Sequence, residues 1–487
     1  MAARHRAQLP REPPRVRVFV AGGGLAGLSA ATVLAEAGHE VIVAEREEFW
    51  GGRAGAWTET LPDGTPFQME RGFHAFFRQY HCLRALMRRV DPDLRVLQPA
   101  EDYPVLGPEG AVQTFRDLPT STPANIATLA WRTPTIGLFD LPRVRLKPTL
   151  AMMAYGDHTW AKWDGLSATD YLDALRFPAE ARRMLFEVFS HSFFNPEDDF
   201  SAAELLMQFH FYFLANPEGL VFDTMREPFS TGLFEPLAGY LRERGASLRT
   251  GTSVERLNLG RDPIAITLSD GTVERADALV LGLSVPGLRG LAQASPPLGA
   301  LLGDAMGSLQ TTWPFAVHRL WLDRPVRADR APFAGTVGLG ILDNISVYEK
   351  LETESAAWTR AHGGSVVELH AYAVPPTMDE AAMKAEMLQG LHTAYPETRG
   401  AKVLHDVFLL REDCPAFRPG SYAARPGVAT ADPRVKLAGD YVKMPFPCAL
   451  MERATASGFT AANQLLGEAR EPLPHGPPRG PLARFRL

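Results

Sequence analysis

Short β-branched runs that end in glycine turns mark both ends of the chain, and helical spacing of apolar residues fills the stretches between. Residues 16–20 (VRVFV) form a short apolar run that predicts a buried parallel strand. Helical spacing then continues to Ala37, and residues 41–44 predict a second strand ending at Glu45. Near the other end, residues 435–438 predict a short strand running into Gly439-Asp440. A helix is expected from about residue 451 to 466, with small Ala454, Ser457, Gly458, Ala461 and Ala462 on its faces. Between these ends, "EPLAGYLRERGASLRTGTSVERL" reads as helix then strand, and residues 276–286 as one further strand. In "SATDYLDALRFPAEARRMLFEVFSHSFF" the apolar spacing is helical, and Ser167 before Thr169-Asp170 suits an N-cap. The next run, "SAAELLMQFHFYFLANPEGLVF", carries an aromatic stripe that is either core or the lining of a tunnel. "SVVELHAYAV" reads as a strand in a sheet, with His370 in a structural place.

Composition narrows the class. A chain of 487 residues, 46% hydrophobic and 22% charged, is long enough for two or three domains. A net charge of −6 argues against a nucleic-acid partner. Cys82, Cys414 and Cys448 form no C-x-x-C, and no H-E-x-x-H occurs, so no metal site is expected and a reducing, cytoplasmic setting is the simplest reading. Residues 1–15 and 468–487 are basic and Pro-rich, lack the apolar core of a signal peptide, and read as disordered tails. Weak attraction of those tails to an anionic membrane surface is the alternative. No run of 18 apolar residues occurs, so no transmembrane helix is expected.

The first glycine turn is Gly22-x-Gly24-x-x-Gly27. With 42 glycines such a string arises by chance about 0.3 times per chain, so its context has to carry the argument. A strand precedes it, a helix follows, and Glu45 lies about 20 residues on. Gly22 permits the tight turn, Gly24 lets backbone approach a pyrophosphate, and Gly27 lets helix and strand pack closely. Leu25 and Ala26 open the helix, whose free N–H groups and partial positive charge favour phosphate. Glu45 is placed to accept hydrogen bonds from adenosine ribose hydroxyls. A nicotinamide site has the same features up to this point.

Gly51-Gly52-Arg53 separates the two. It resembles the element that follows the first strand pair in the flavin amine oxidase and carotenoid desaturase superfamily; an exposed Gly-Gly turn with a solvated arginine is the bland alternative. Bare backbone at both glycines and the fixed fork of Arg53 suit an oxyanion. The resemblance extends to Glu70-x-Gly72-x-His74, implying that Gly72, Phe73 and His74 run close under a flavin. It extends also to Val254, which would reach adenine through its backbone, and to Gly439-Asp440 with the helix beginning near Met451-Glu452. Asp440 would hold the ribityl or phosphate end, and the helix N-terminus would face the flavin pyrimidine. His74 and Glu452 are the polar groups expected nearest the ring; no residue is singled out as a general base.

The resemblance implies an α/β fold, in which a Rossmann-like FAD-binding domain (16–105, 232–290 and 430–467) interleaves with an α+β substrate domain (106–231 and 291–429). The stretch "GFHAFFRQYHCLRALMRRVDPDLRVL" most resembles the carotenoid desaturase branch, and within it the bacterial enzymes that aromatise a β-ionone ring, the carotene φ-ring synthases. That family implies FAD-dependent hydride abstraction from β-carotene with a 1,2-methyl shift, since no second nucleotide loop is present for a methyl donor. It also implies a lipid-soluble carotenoid substrate, peripheral attachment to a membrane, and an electron acceptor that the sequence does not identify. Other readings are an acyclic-polyene desaturase, a carotenoid isomerase or an amine oxidase. From another class comes a flavin-free prenyl-lipid escort protein, against which Arg53 and Gly439-Asp440 count.

Overall fold

The computed structural model describes residues 15–100, 191–214 and 221–474 without a break, and shorter stretches between 102 and 183. The short apolar runs come together as one parallel sheet. Its strands are β1 (Arg17–Ala21), β2 (Glu40–Ala44), β3 (Ser247–Arg249), β4 (Ala278–Leu281) and β5 (Val435–Leu437), in the order β3-β2-β1-β4-β5. Val20 lies opposite Val43 on one side and Val280 on the other. A sheet covered on both faces needs such unbroken apolar strands. Helix α1 (Leu25–Glu36) joins β1 to β2, and helix α2 (Leu450–Leu466) packs along it. Their approach is close, since a Cβ on Gly458 would collide with the Ala26 carbonyl oxygen, and α1 sits equally close to β1, where a Cβ on Gly27 would collide with the Gly22 carbonyl oxygen. Of residues 276–286 only β4 joins the parallel sheet, and Ala276 ends a separate strand, Val273–Ala276. Ser284 accepts the Gly287 N–H at 3.4 Å and caps a new helix, Val285–Ala294, with proline in its first turn.

A seven-stranded sheet supplies the second layer. Its interior strand Ser365–Ala371 is wholly buried and runs antiparallel to Phe315–Leu322 and Asn344–Val347, with His370 opposite Val317 and Asn344. A third, small sheet sets Phe222–Met225 between Phe76–Phe77 and Leu97–Pro99. The two expected domains therefore exchange a strand: 222–225, assigned to the insertion 106–231, pairs with strands from the segment 16–105. Among the described residues of that insertion, helices His158–Trp163, Ala168–Leu175 and Ala202–Phe209 follow the helical spacing, and Ser167 Oγ accepts the Asp170 N–H at 3.0 Å.

Residues 1–14 and 475–487 of the expected tails lie outside the described residues, but 468–474 do not. Arg470 donates to the Glu36 carbonyl at 2.7 Å, and the Glu471 carboxylate receives Arg89 Nη2 at 2.6 Å. The ordered chain thus runs past the expected boundary at 467, because this turn docks on α1 and α2. All three cysteines are buried and unpaired. Among the described residues no helix is long and apolar enough to cross a membrane, and no group of His, Cys, Asp and Glu is arranged to hold a metal ion.

Candidate active site

One cleft of about 720 Å³ runs from the C-terminal ends of the parallel strands to the face of the seven-stranded sheet. At its first end three glycine turns converge. Gly22, at φ +101°, donates its N–H to Ala44 O at 2.8 Å, and a Cβ there would lie 2.5 Å from Gly282 O. Gly51 donates to Gly23 O at 2.8 Å, and a Cβ on Gly52 would lie 3.2 Å from the Gly24 Cα. Helix α1 begins at Gly24 with no side-chain cap and no acidic residue in its first turn, so Leu25 and Ala26 carry backbone donors that an anion can use. Arg53 Nη2 donates to Asp440 Oδ1 at 2.5 Å, joining positions 387 apart in sequence. Gly439 and Asp440 follow β5, and the Gly439 N–H is held by Ser457 Oγ at 2.8 Å. Glu45, at the end of β2, accepts the Gly23 N–H at 2.6 Å and the Glu47 N–H at 2.9 Å; burial pushes its pKa up. Val254, Leu450 and Met451 also border the cleft. Bare glycine backbone, an uncapped helix N-terminus, an arginine and a carboxylate at the tip of β2 together form a donor and acceptor set that fits a dinucleotide.

The middle of the cleft is built by the segment after Glu70. Phe73 stacks on Phe333, with ring centroids 4.4 Å apart, and meets Phe222 edge-on at 5.7 Å. His74 Nδ1 lies 2.8 Å from the Gly72 carbonyl, which can only accept, so Nδ1 carries the proton. Burial pulls the His74 pKa down to about 4, leaving a neutral ring whose Nε2 keeps a lone pair. Glu70 stands behind this wall. Its carboxyl takes the Phe229 N–H at 2.8 Å and the Tyr348 hydroxyl at 3.0 Å, and burial pushes its pKa up to about 8.

Three expected cofactor positions do not border the cleft. Gly72, at φ +94°, is required by the floor, since a Cβ there would strike the His370 ring. Gly27 lies within the α1–β1 packing, in keeping with its expected part in bringing helix and strand together. Glu452 is turned away altogether: its two carboxylate oxygens accept the N–H groups of Cys82 at 2.8 Å and Leu83 at 3.0 Å, capping the helix His81–Met87. The helix dipole and two orphan donors hold it there, so it is not a ring-proximal group.

The far end is aromatic. Phe77, Tyr212, Phe222 and Phe333 line it, so part of the stripe after Ser201 is tunnel wall as well as core. Into this apolar end the seven-stranded sheet brings four polar residues that sequence reading missed as a group: Asp343, Asn344, His370 and Tyr372. A signal existed. Glu368, His370 and Tyr372 alternate along "ELHAY", which places three polar side chains on one face of a buried strand.

The family of flavin containing amine oxidoreductases matches residues 25–466, and the chain belongs to that family. It is an FAD-dependent oxidoreductase. A carotenoid phi-ring synthase of Streptomyces griseus is 47% identical over 463 residues, covering 95% of this chain and 89% of that protein. A protein of the same description from Chlorobaculum tepidum is 26% identical, over 95% and 91% of the two chains. Among solved structures, a triple mutant of putrescine oxidase superposes with a TM-score of 0.66 at 15% identity, covering 93% of this chain and 99% of that one.

Proposed function

We propose that this enzyme aromatises the β-ionone ring of a carotenoid, desaturating it and moving one geminal methyl to the neighbouring ring carbon. The observation that carries the reading is the single cleft, phosphate-binding in character at one end and aromatic at the other. The 47% identity to a carotenoid phi-ring synthase over nearly the whole chain supports the substrate class. In this reading Gly22, Gly24, Leu25, Ala26, Gly51, Gly52 and Arg53 hold the pyrophosphate of FAD. Glu45 and Val254 serve its adenosine half, and Gly439, Asp440 and Met451 its ribityl and ring end. FAD supplies the hydride acceptor. Phe73, Phe77, Phe222 and Phe333 bind the polyene end and keep water out, and a dry aromatic wall tolerates the positive charge that hydride loss leaves on the ring.

Attachment to a membrane surface belongs to the same proposal, because the substrate dissolves in lipid. Trp131, 82% exposed, and Leu166, 40% exposed, support it. The test supplies the FAD-loaded protein with β-carotene in liposomes and no methyl donor. An aromatic-ring product and co-sedimentation of protein with vesicles are expected. Strict dependence on an added methyl donor overturns the shift, and protein left wholly in the supernatant overturns the attachment. An amine substrate is the second reading, favoured by the Asp343 carboxylate among the aromatic rings. Turnover of polyamines but not of β-carotene selects it.

A further inference from the structure

We propose that Tyr372 takes up the ring proton lost in each desaturation and passes its own phenolic proton to His370, which Glu368 orients. The proposal rests on the ring-desaturating reading above and names the base that reading lacks. Each new ring double bond removes one hydride and one proton from adjacent carbons. Bound FAD would supply the hydride acceptor; the proton needs an acceptor on this chain, at the aromatic end of the cleft.

The polar groups there form one directed chain of hydrogen bonds. Glu368 is fully buried. Its Oε2 receives Arg319 Nε at 2.8 Å and forms an ion pair with the same guanidinium, and its Oε1 receives the Phe73 N–H at 3.1 Å and His370 Nε2 at 2.8 Å. Burial works to raise the Glu368 pKa, but Arg319 and His370 outweigh it, and the carboxyl stays below its ordinary value. An ionised carboxylate only accepts, and its 2.8 Å contact outweighs the 3.3 Å approach of the Phe73 N–H to the same nitrogen, since the shorter bond of that N–H is to Glu368. His370 Nε2 therefore carries the proton and Nδ1 keeps a lone pair. That lone pair lies 2.8 Å from the Tyr372 hydroxyl, which is therefore its donor. Asn344 Nδ2 donates to the same phenolic oxygen at 2.9 Å. One oxygen lone pair is taken by Asn344, and the other remains for the cleft that Tyr372 lines.

Two further details favour a positioned base over passive packing. Asn344 is 3% exposed, and its Oδ1 has no hydrogen-bond partner among the described residues. The amide thus leaves one buried group unsatisfied while its NH2 aims the phenol proton at His370. Asp343 Oδ2 receives the Tyr372 N–H at 2.6 Å and Oδ1 lies 2.8 Å from His191 Nδ1, fixing the backbone that carries the phenol. His74, the other cleft imidazole, is a poor rival because burial holds its pKa at about 4.

In the step, a C–H bond beside the cationic ring carbon breaks and its electron pair closes the new C=C bond. The proton moves to the Tyr372 oxygen as the phenol O–H proton moves to His370 Nδ1. The products are a neutral diene and an imidazolium paired with the Glu368 carboxylate. Tyr372 is the catalytic residue; His370, Glu368 and Asn344 position it.

Single-turnover quench of the FAD-loaded enzyme with β-carotene tests the step. In Y372F the rate of ring-diene formation should fall by about 10²–10⁴-fold, with FAD content and carotenoid affinity unchanged, and H370Q should fall similarly. Nitrogen-15 NMR of the histidine-labelled wild type tests the same arrangement without a variant and without turnover: His370 should be the Nε2-protonated tautomer. A wild-type rate in Y372F, a defect confined to carotenoid affinity, or an Nδ1-protonated His370 overturns the relay. A wild type that holds FAD but leaves β-carotene unchanged overturns instead the ring-desaturating reading on which the relay depends.

Discussion

Glu70 and His74 lie four residues apart and are driven in opposite directions by one cause, since burial disfavours the charged form of each. At neutral pH the acid is protonated and the imidazole is neutral, so neither adds a charge to the wall beneath the cleft. The two make opposite contributions to the pH dependence of stability. Glu70 has a folded pKa raised from 4.5 to about 8, because burial outweighs the pull of Arg319. Its stabilising contribution is complete below 4.5 and is lost as pH rises through 8. His74, lowered from 6.5 to about 4, contributes above 6.5 and loses that contribution as pH falls toward 4. Glu70→Gln keeps an acceptor for the Phe229 N–H and cannot ionise. Its melting temperature relative to wild type should therefore rise from pH 5 to pH 8, read by thermal scans of the FAD-loaded proteins. A difference that stays constant across that range shows that Glu70 does not titrate as derived.

Helix α2 serves two neighbours at once, and its first turn divides the work. Leu450 and Met451 border the cleft, while Glu452 turns to the N-terminus of the helix His81–Met87. That division was not legible in the sequence. A glutamate in the first turn of a helix suits the macrodipole of its own helix equally well, and nothing in the one-dimensional pattern says that the orphan donors of a helix 370 residues away lie within reach. Gly458 was legible as a small residue, and its partner, the Ala26 carbonyl, was not. The Glu452 cap has a measurable consequence. Glu452→Ala leaves the Cys82 and Leu83 N–H groups buried without acceptors and should cost about 1–3 kcal/mol, seen as a lower urea midpoint at unchanged slope. A midpoint equal to that of wild type removes the cap from the account.

At the scale of the whole molecule, the sequence showed the nucleotide half and concealed the other. Glycine turns, strand ends and Arg53 are marked by local spacing, so the turns at Gly24, Gly51 and Asp440, which border one cleft, were legible although 416 positions separate the first from the last. The aromatic end depends on which strands pair. Asn344 meets His370 only through antiparallel register, and Phe333 meets Phe73 only where the seven-stranded sheet packs against the segment after Glu70, neither of which leaves a local trace. The same long-range closure predicts how FAD acts on folding. Arg53 and Asp440 meet over the cleft, so a ligand that needs both segments must hold them together. At a free concentration 100 times its Kd, FAD should stabilise the protein by about 2.7 kcal/mol, equivalent to roughly 100-fold slower amide exchange through openings that release it. Hydrogen exchange of apoprotein with and without FAD should show that slowing at residues 22–27, 51–54 and 439–451 together. Protection confined to the first two of these segments would mean that the C-terminal turn does not close on the cofactor, and the one-cleft account of the molecule would fail with it.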